Sequence, residues 1–168
     1  MTVDARFCPR CAAPLPARPP TSCRNCGYSL YVNARPTASV IVVRDGAFLA
    51  LRRAIEPKAG LWEIPGGFCD GWEHPSDAAL REAREELGVE VRLRHFVGMY
   101  IGSYDFQGET LPVLDSFWLA DIIAGELLLD PAESSAYSWL PVDDHPALAF
   151  ATMDCAVSEA VAWLRAQV

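Results

Sequence analysis

Three carboxylates, Glu82, Glu85 and Glu86, stand at i, i+3 and i+4 within the run Arg81-Glu-Ala-Arg-Glu-Glu-Leu87. On a helix these offsets place all three on one face. Like charges so spaced repel and weaken an isolated helix, and hard divalent cations are the natural compensation for clustered oxygens. A second chemistry is offered by Cys8-Pro-Arg-Cys11 and Cys23-Arg-Asn-Cys26, two C-x-x-C pairs eleven residues apart. Each two-residue gap lets a tight turn aim both sulfurs at one ion, and Gly27 relieves the backbone after the second pair. Four thiolates complete a tetrahedral shell with no open position, which describes structural zinc rather than catalytic zinc; a redox dithiol is the competing reading. Cys69 and Cys155 are isolated. Cys69 has no base at a recognisable spacing to make it a nucleophile, and Cys155 is expected in the core of a terminal helix.

The elements that must position these groups follow from periodicity. Residues 1–34 carry many prolines and little periodicity, and need a metal staple to fold. From Pro36 the pattern changes. Thr37 to Val43 reads as a buried strand, Arg44-Asp45-Gly46 as a turn, and Ala47 to Arg53 as the hairpin partner. Leu61 to Ile64 reads as a short strand ended by Pro65-Gly66-Gly67, followed by a loop from Phe68 to His74. Pro75 to Leu87 is the predicted carboxylate helix, with Pro75 in its first turn, Gly88 at its stop, and Ala79, Leu80, Ala83 and Leu87 as its apolar face. Residues 89–101 and 112–122 read as strands around a polar tip at Asp105-Phe106-Gln107-Gly108, and Tyr137 to Leu140 as another strand. Ala147 to Gln167 closes the chain as an amphipathic helix. The expected class is α/β, an α/β/α sandwich with a mixed sheet.

Composition narrows the function classes. The net charge of −8 divides into +4 over residues 1–35 and −12 over the remainder. An acidic body argues against tight nucleic-acid binding and suits a protein that collects divalent cations. Arg10, Arg18 and Arg24 form a small basic set near the cysteines; docking or dimerisation is the favoured reading of that segment, with nucleic acid as the rival. No apolar run reaches the length of a membrane span, no signal peptide is visible in residues 1–20, and the cysteine usage fits a reducing, cytoplasmic setting.

The stretch Gly67-Phe-Cys-Asp-Gly-Trp-Glu73, followed after seven residues by Arg81-Glu-Ala-Arg-Glu-Glu-Leu-Gly-Val89, resembles the Nudix box at every defined position. Gly60-Leu-Trp-Glu-Ile-Pro-Gly-Gly67 and the later Trp139-Leu-Pro141 are similar to the family's surroundings of the box, so the resemblance spans residues 36–168. It implies a Nudix hydrolase domain over residues 35–168, preceded by a zinc ribbon over residues 1–34. It further implies Glu82, Glu85, Glu86 and the carbonyl of Gly67 as ligands of Mg²⁺ or Mn²⁺, with Glu73 and Arg81 bracing the loop on the helix. Glu133 stands six residues before Trp139, the spacing of a metal-binding or water-activating acid in part of the family. Glu133, Glu85 and Glu86 are therefore the catalytic candidates, and Glu109 a distant one. Arg52, Arg53, Lys58 and Tyr104 are candidates for substrate contact, although one of the two adjacent arginines must point away on a strand. Tyr100 and Phe106 can stack on a base or pack the core.

The implied reaction is metal-dependent cleavage of the pyrophosphate bond of a nucleoside diphosphate derivative. ADP-ribose or a related nucleotide sugar or dinucleotide is the leading expectation. A ribbon before a Nudix domain resembles the NADH pyrophosphatases, but Val97 to Phe106 contains nothing like their Ser-Gln-Pro-Trp-Pro-Phe-Pro signature. NADH or NAD cleavage, or removal of an NAD cap from RNA, is the alternative. A nucleotide sensor without catalysis is a rival of another class, although such modules typically lose box carboxylates and none is missing here. A homodimer is a further expectation.

Overall fold

The computed structural model describes residues 5–167. Its first elements are two short antiparallel strands, β1 (Thr21–Ser22) and β2 (Ser29–Leu30), which pair across the second cysteine knuckle. The body then runs β3 (Arg35–Arg44), β4 (Ala47–Arg53), β5 (Trp62–Glu63), β6 (Gly66–Phe68), α1 (Pro75–Leu87), β7 (Val89–Phe106), β8 (Glu109–Gly125), β9 (Ser134–Pro141) and α2 (Ala151–Arg165). The sheet order is β5-β4-β3-β8-β7, with β6 added to β3 and β9 to β4. All pairings in it are antiparallel except β3 with β8, which run parallel from Arg35↔Val113 to Val42↔Ala120.

Strand alternation gives β3 two faces. Ala38, Val40 and Val42 point to one side, where they pack with Leu49, Leu51 and the Ala78, Ala79, Ala83 and Leu87 stripe of α1. Ile41 points to the other, joining Phe48, Phe117 and Leu119 beneath Met153, Ala156, Val157 and Ala160 of α2. Each large side chain so buried contributes about 1.5–3 kcal/mol relative to exposure. Two cores on opposite faces of one mixed sheet make the expected α/β/α sandwich.

Helix α1 starts and stops as its sequence dictates. Ser76 N–H donates to His74 Nδ1 (3.2 Å) ahead of Pro75, and Gly88 adopts φ 68° while its N–H returns to Arg84 O. Other elements differ from expectation. Gly66 to Phe68, read as turn and loop, form a strand because Thr37, Ala38 and Ser39 offer an open edge opposite them. The strands of the β7–β8 hairpin are longer than expected, and the tip contracts to Gln107 and Gly108, both at positive φ. Cys155, expected in the core, is exposed: α2 buries Thr152, Met153, Ala156, Val157, Ala160 and Val161, and Cys155 falls off that stripe. No helix among the described residues is long and apolar enough to cross a membrane.

Candidate active site and thiol cluster

Arg81 organises the acidic face of α1. Its Nε donates to Glu73 Oε1 (2.9 Å) and its Nη2 to Glu73 Oε2 (2.8 Å), a two-pronged pair. Nη2 also reaches the carbonyl of Phe68 (3.0 Å), while Nη1 donates to Glu82 Oε1 (2.7 Å) and Glu85 Oε2 (2.8 Å). One guanidinium thus ties the loop after β6 to the helix and partly neutralises three carboxylates. The Arg81 pair and a backbone N–H from Asp70 hold Glu73 down at about 2.

Glu82 and Glu86 are buried despite their charge. Glu86 Oε2 accepts from the N–H of Gly66 (2.7 Å), yet burial, aggravated by Glu63 and Glu82, pushes its carboxyl well above the usual range. Burial also raises Glu82 against the pull of Arg81. These are buried carboxylate oxygens short of positive charge. Gly67 is required beside them, because a Cβ there would lie 2.6 Å from Glu82 Oε1. The Gly67 backbone thus lies close against the Glu82 carboxylate.

A cavity of about 250 Å³ opens beside this face, on the α2 side of the sheet. Glu82, Glu86, Glu133 and Glu63 line one part of it, and Asp115, Phe117, Phe150 and Tyr104 another. Glu133 sits at a turn: Ala132 N–H donates to Asp130 Oδ1 (2.8 Å), and the Glu133 carbonyl accepts from Ala54 N–H (2.8 Å). Glu85 lies on the more exposed side of the helix.

The two arginines of β4 diverge. Arg53 lines the cavity, donates through Nε to the Pro57 carbonyl (2.8 Å) and forms a buried ion pair with Glu63. Burial, opposed by Arg53, raises Glu63 to about 6. Arg52 points outward to the carbonyl of Gly60 (3.0 Å) and is absent from the lining. Tyr104 lines the cavity and stacks on Phe150, with centroids 5.7 Å apart, and meets Phe68 edge-on at 5.3 Å. Lys58 Nζ donates to the Ala149 carbonyl. Tyr100 packs against Phe117 in the α2-side core, Phe106 is exposed, and Glu109 opens β8 at the hairpin tip. Burial raises the Cys69 thiol, which disfavours a nucleophilic role.

Several lining residues had no local signal. Glu63, Asp115 and Phe150 are brought together by strand pairing and by the docking of α2. Only the alternation of β3 hinted that Thr37 and Ser39 would share the face of Ile41.

At the other end of the chain, the sulfurs of Cys8, Cys11, Cys23 and Cys26 all lie within 4.8 Å of one another. The separations Cys8–Cys26 (3.7 Å) and Cys11–Cys23 (3.6 Å) are far too long for disulfides. They match the edge of about 3.8 Å expected of a tetrahedron with Zn–S bonds of about 2.3 Å. The knuckles are alike: Cys8 O accepts from Ala12 N–H and Cys23 O from Gly27 N–H, with Ala12 and Gly27 at φ 58° and 74°. A backbone N–H from Ala13 and the Asn25 amide lower the Cys11 thiol to about 6. Arg10 lies over the Tyr28 ring at 5.5 Å, and Arg24 is exposed.

Known proteins place this geometry. The chain is 28% identical over 125 residues to the ADP-ribose pyrophosphatase of Methanocaldococcus jannaschii, covering 73% of this chain and 71% of that protein. It is 31% identical over 147 residues to the NAD-capped RNA hydrolase NudC of Stutzerimonas stutzeri, covering 85% of this chain and 50% of NudC. The chain therefore spans only about half the length of that relative. Among solved structures, a MutT NUDIX hydrolase from Burkholderia pseudomallei matches with TM-score 0.64 and 27% identity, over 76% of this chain and 98% of that one. A NUDIX hydrolase from Nitrosomonas europaea, at 21% identity, shares the fold with TM-score 0.73 over 91% of this chain and 88% of its own. The NUDIX domain model matches residues 33–162, containing the sheet, the Arg81-braced helix and the cavity, and the chain belongs to that family.

Proposed function

We propose that this chain hydrolyses the pyrophosphate bond of a nucleoside diphosphate derivative, with ADP-ribose or a related nucleotide sugar or dinucleotide as substrate. The observation that carries this reading is the placement of buried, charge-deficient Glu82 and Glu86 beside Gly67 at the wall of an aromatic-lined cavity. Glu82, Glu85, Glu86 and the Gly67 carbonyl would hold Mg²⁺ or Mn²⁺, a donor set of hard oxygens that suits these ions. A metal held there would supply Lewis-acid stabilisation of the diphosphate and would lower the pKa of a water. Glu133, in the cavity wall, takes the proton of the attacking water, with Glu86 as the alternative base. Glu73 and Arg81 orient the ligand face, Arg53 meets the phosphates, and Tyr104 flanks the base. Arg52, turned to Gly60, steadies the loop after β4 instead.

Residues 35–168 form the catalytic domain in this reading and residues 1–34 a zinc ribbon, held by Cys8, Cys11, Cys23 and Cys26. Reduced thiols at this spacing support a cytoplasmic protein.

The test is a substrate panel with Mg²⁺: ADP-ribose, NADH, NAD, diadenosine polyphosphates, nucleoside triphosphates and NAD-capped RNA. AMP with ribose 5-phosphate as the main products supports the reading. A preference for NAD-capped RNA assigns the chain to the activity for which its NudC relative is named, and a preference for NADH or NAD to the alternative expected from the sequence. Nucleotide binding with no turnover makes it a sensor.

A further inference from the structure

Two cavity carboxylates have no part in the reaction above: Glu63, which is paired with Arg53, and Asp115. Asp115 lies on β8, directly across the parallel ladder from Thr37, and lines the cavity together with it. Thr37 Oγ1 donates to its Oδ1 and Thr152 Oγ1 to its Oδ2, both at 2.7 Å. A hydroxyl has a single hydrogen, and both are given to Asp115. Asp115 and Thr37, which line the cavity, therefore present only acceptor lone pairs from this group to whatever enters. Space is kept open for it, since a Cβ on Gly102 would lie 2.8 Å from Asp115 Oδ2. The neighbouring wall is aromatic, formed by Tyr104 against Phe150 and Phe68.

An all-acceptor pole repels phosphate oxygens and base carbonyls, and it satisfies N–H groups. An aromatic wall beside it takes the face of a planar ring. We propose that Asp115 is a specificity-determining residue that selects an amino-bearing nucleobase by accepting a hydrogen bond from its exocyclic amine. The base then stands at the Asp115 end of the cavity and the diphosphate at the Glu82 and Glu86 end. This assignment rests on the hydrolase reading above and deepens it.

The experiment compares ADP-ribose with IDP-ribose, which differ by amine against carbonyl at one position of the base. Wild-type protein is expected to favour ADP-ribose by about 10- to 100-fold in kcat/KM, mainly through KM. Asp115→Asn, which turns one acceptor into a donor, should shrink that preference below about 3-fold while leaving kcat nearly unchanged. Gly102→Ala, which crowds the pole without altering Asp115, should weaken the preference in the same direction, and melting temperatures establish that each variant is folded. Equal use of both substrates by the wild type, or an undiminished preference in folded Asp115→Asn, overturns the proposal. So does Asp115→Asn slowing both substrates equally through kcat. Should the wild type cleave neither compound, the choice of ADP-ribose as substrate fails, while hydrolysis of another panel member would keep the hydrolase reading. The Asp115 assignment is then judged by calorimetric binding of methylene-bridged ADP-ribose against its inosine counterpart, with the same expected ratios and the same overturning results.

Discussion

The thiol cluster and the carboxylate helix are two answers to one electrostatic problem. Near the N-terminus four sulfurs converge within 4.8 Å, amid the short β1–β2 ladder, a Phe7–Pro14 bridge and a few turns. On α1 the acids are spread along a helix packed on a sheet, and Arg81 supplies a cation from within the chain. As a zinc ribbon, the first arrangement would be a closed shell that needs its ion in order to exist. The second is an open surface that can wait for one. A structural site spends its metal on folding, whereas an acidic helix with a built-in guanidinium folds first and binds afterwards.

Removing metal is the most forceful way to break this contrast. A strong zinc chelator, or Cys23→Ser, should unfold the cysteine segment, because structural zinc is worth on the order of 10 kcal/mol or more to such a module. The same treatment should leave α1 intact. Amide protection in both regions, read by NMR, checks this; a segment that stays protected without metal would deny the zinc its structural role. Next in size is Glu86→Gln, which keeps an acceptor for the Gly66 N–H but removes the charge. It should lower kcat on the order of 10³-fold with little change in melting temperature.

The pH dependence sharpens the contrast within α1's surroundings. Glu63 rises to about 6 when folded, so between about 4.5 and 6 the native state binds more protons than the unfolded chain. Stability without divalent ions should therefore fall as pH rises through that window, by about 2 kcal/mol from Glu63 alone, and the raised Glu82 and Glu86 add to the loss. Added Mg²⁺ should recover stability on the high-pH side. Glu73 acts in the opposite sense: its contribution is present above the ordinary carboxylate range and is lost as pH falls toward 2. Urea melts across pH 3 to 8, with and without Mg²⁺, separate the two. The smallest effect is expected at Ala12, whose φ of 58° matches that of Gly27 in the other knuckle. Ala12→Gly should stabilise the zinc-loaded form by up to about 1 kcal/mol, measured as zinc affinity.

How much of this was legible in the sequence depends on how far apart the cooperating residues lie. Glu82, Glu85 and Glu86 fall within five positions, and the cysteine pairs within nineteen, so helical periodicity and knuckle spacing revealed both sites. The start and stop of α1 were equally readable, because Pro75 and Gly88 act through their own backbones. Asp115 was not readable. Its partners Thr37 and Thr152 are 78 and 37 residues away, and only the β3–β8 register and the docking of α2 join them. The same holds for β6, a strand created by the free edge of β3 rather than by its own Gly-Gly-Phe composition. Cys155 failed for a subtler reason: the helix was foreseen, but its rotation against the sheet is set by Met153, Ala156 and Ala160, which a one-residue shift would have displaced.

The single parallel pairing has a consequence for the order of assembly. The β7–β8 hairpin can zip outward from Gln107 and Gly108, each new pair closing only a slightly longer loop. Thr37 and Asp115, in contrast, stand 78 positions apart and meet only when the chain between them has been gathered, so β3 is expected to gain its parallel partner after that hairpin exists. Pulse-labelled hydrogen exchange reads this directly, as early protection of the hairpin amides and later protection of Ala38 to Val42. The cavity floor, which includes Thr37 and Asp115, is thereby expected to be among the last parts of the sheet to be completed, so the pocket closes only after the hairpin that forms its wall.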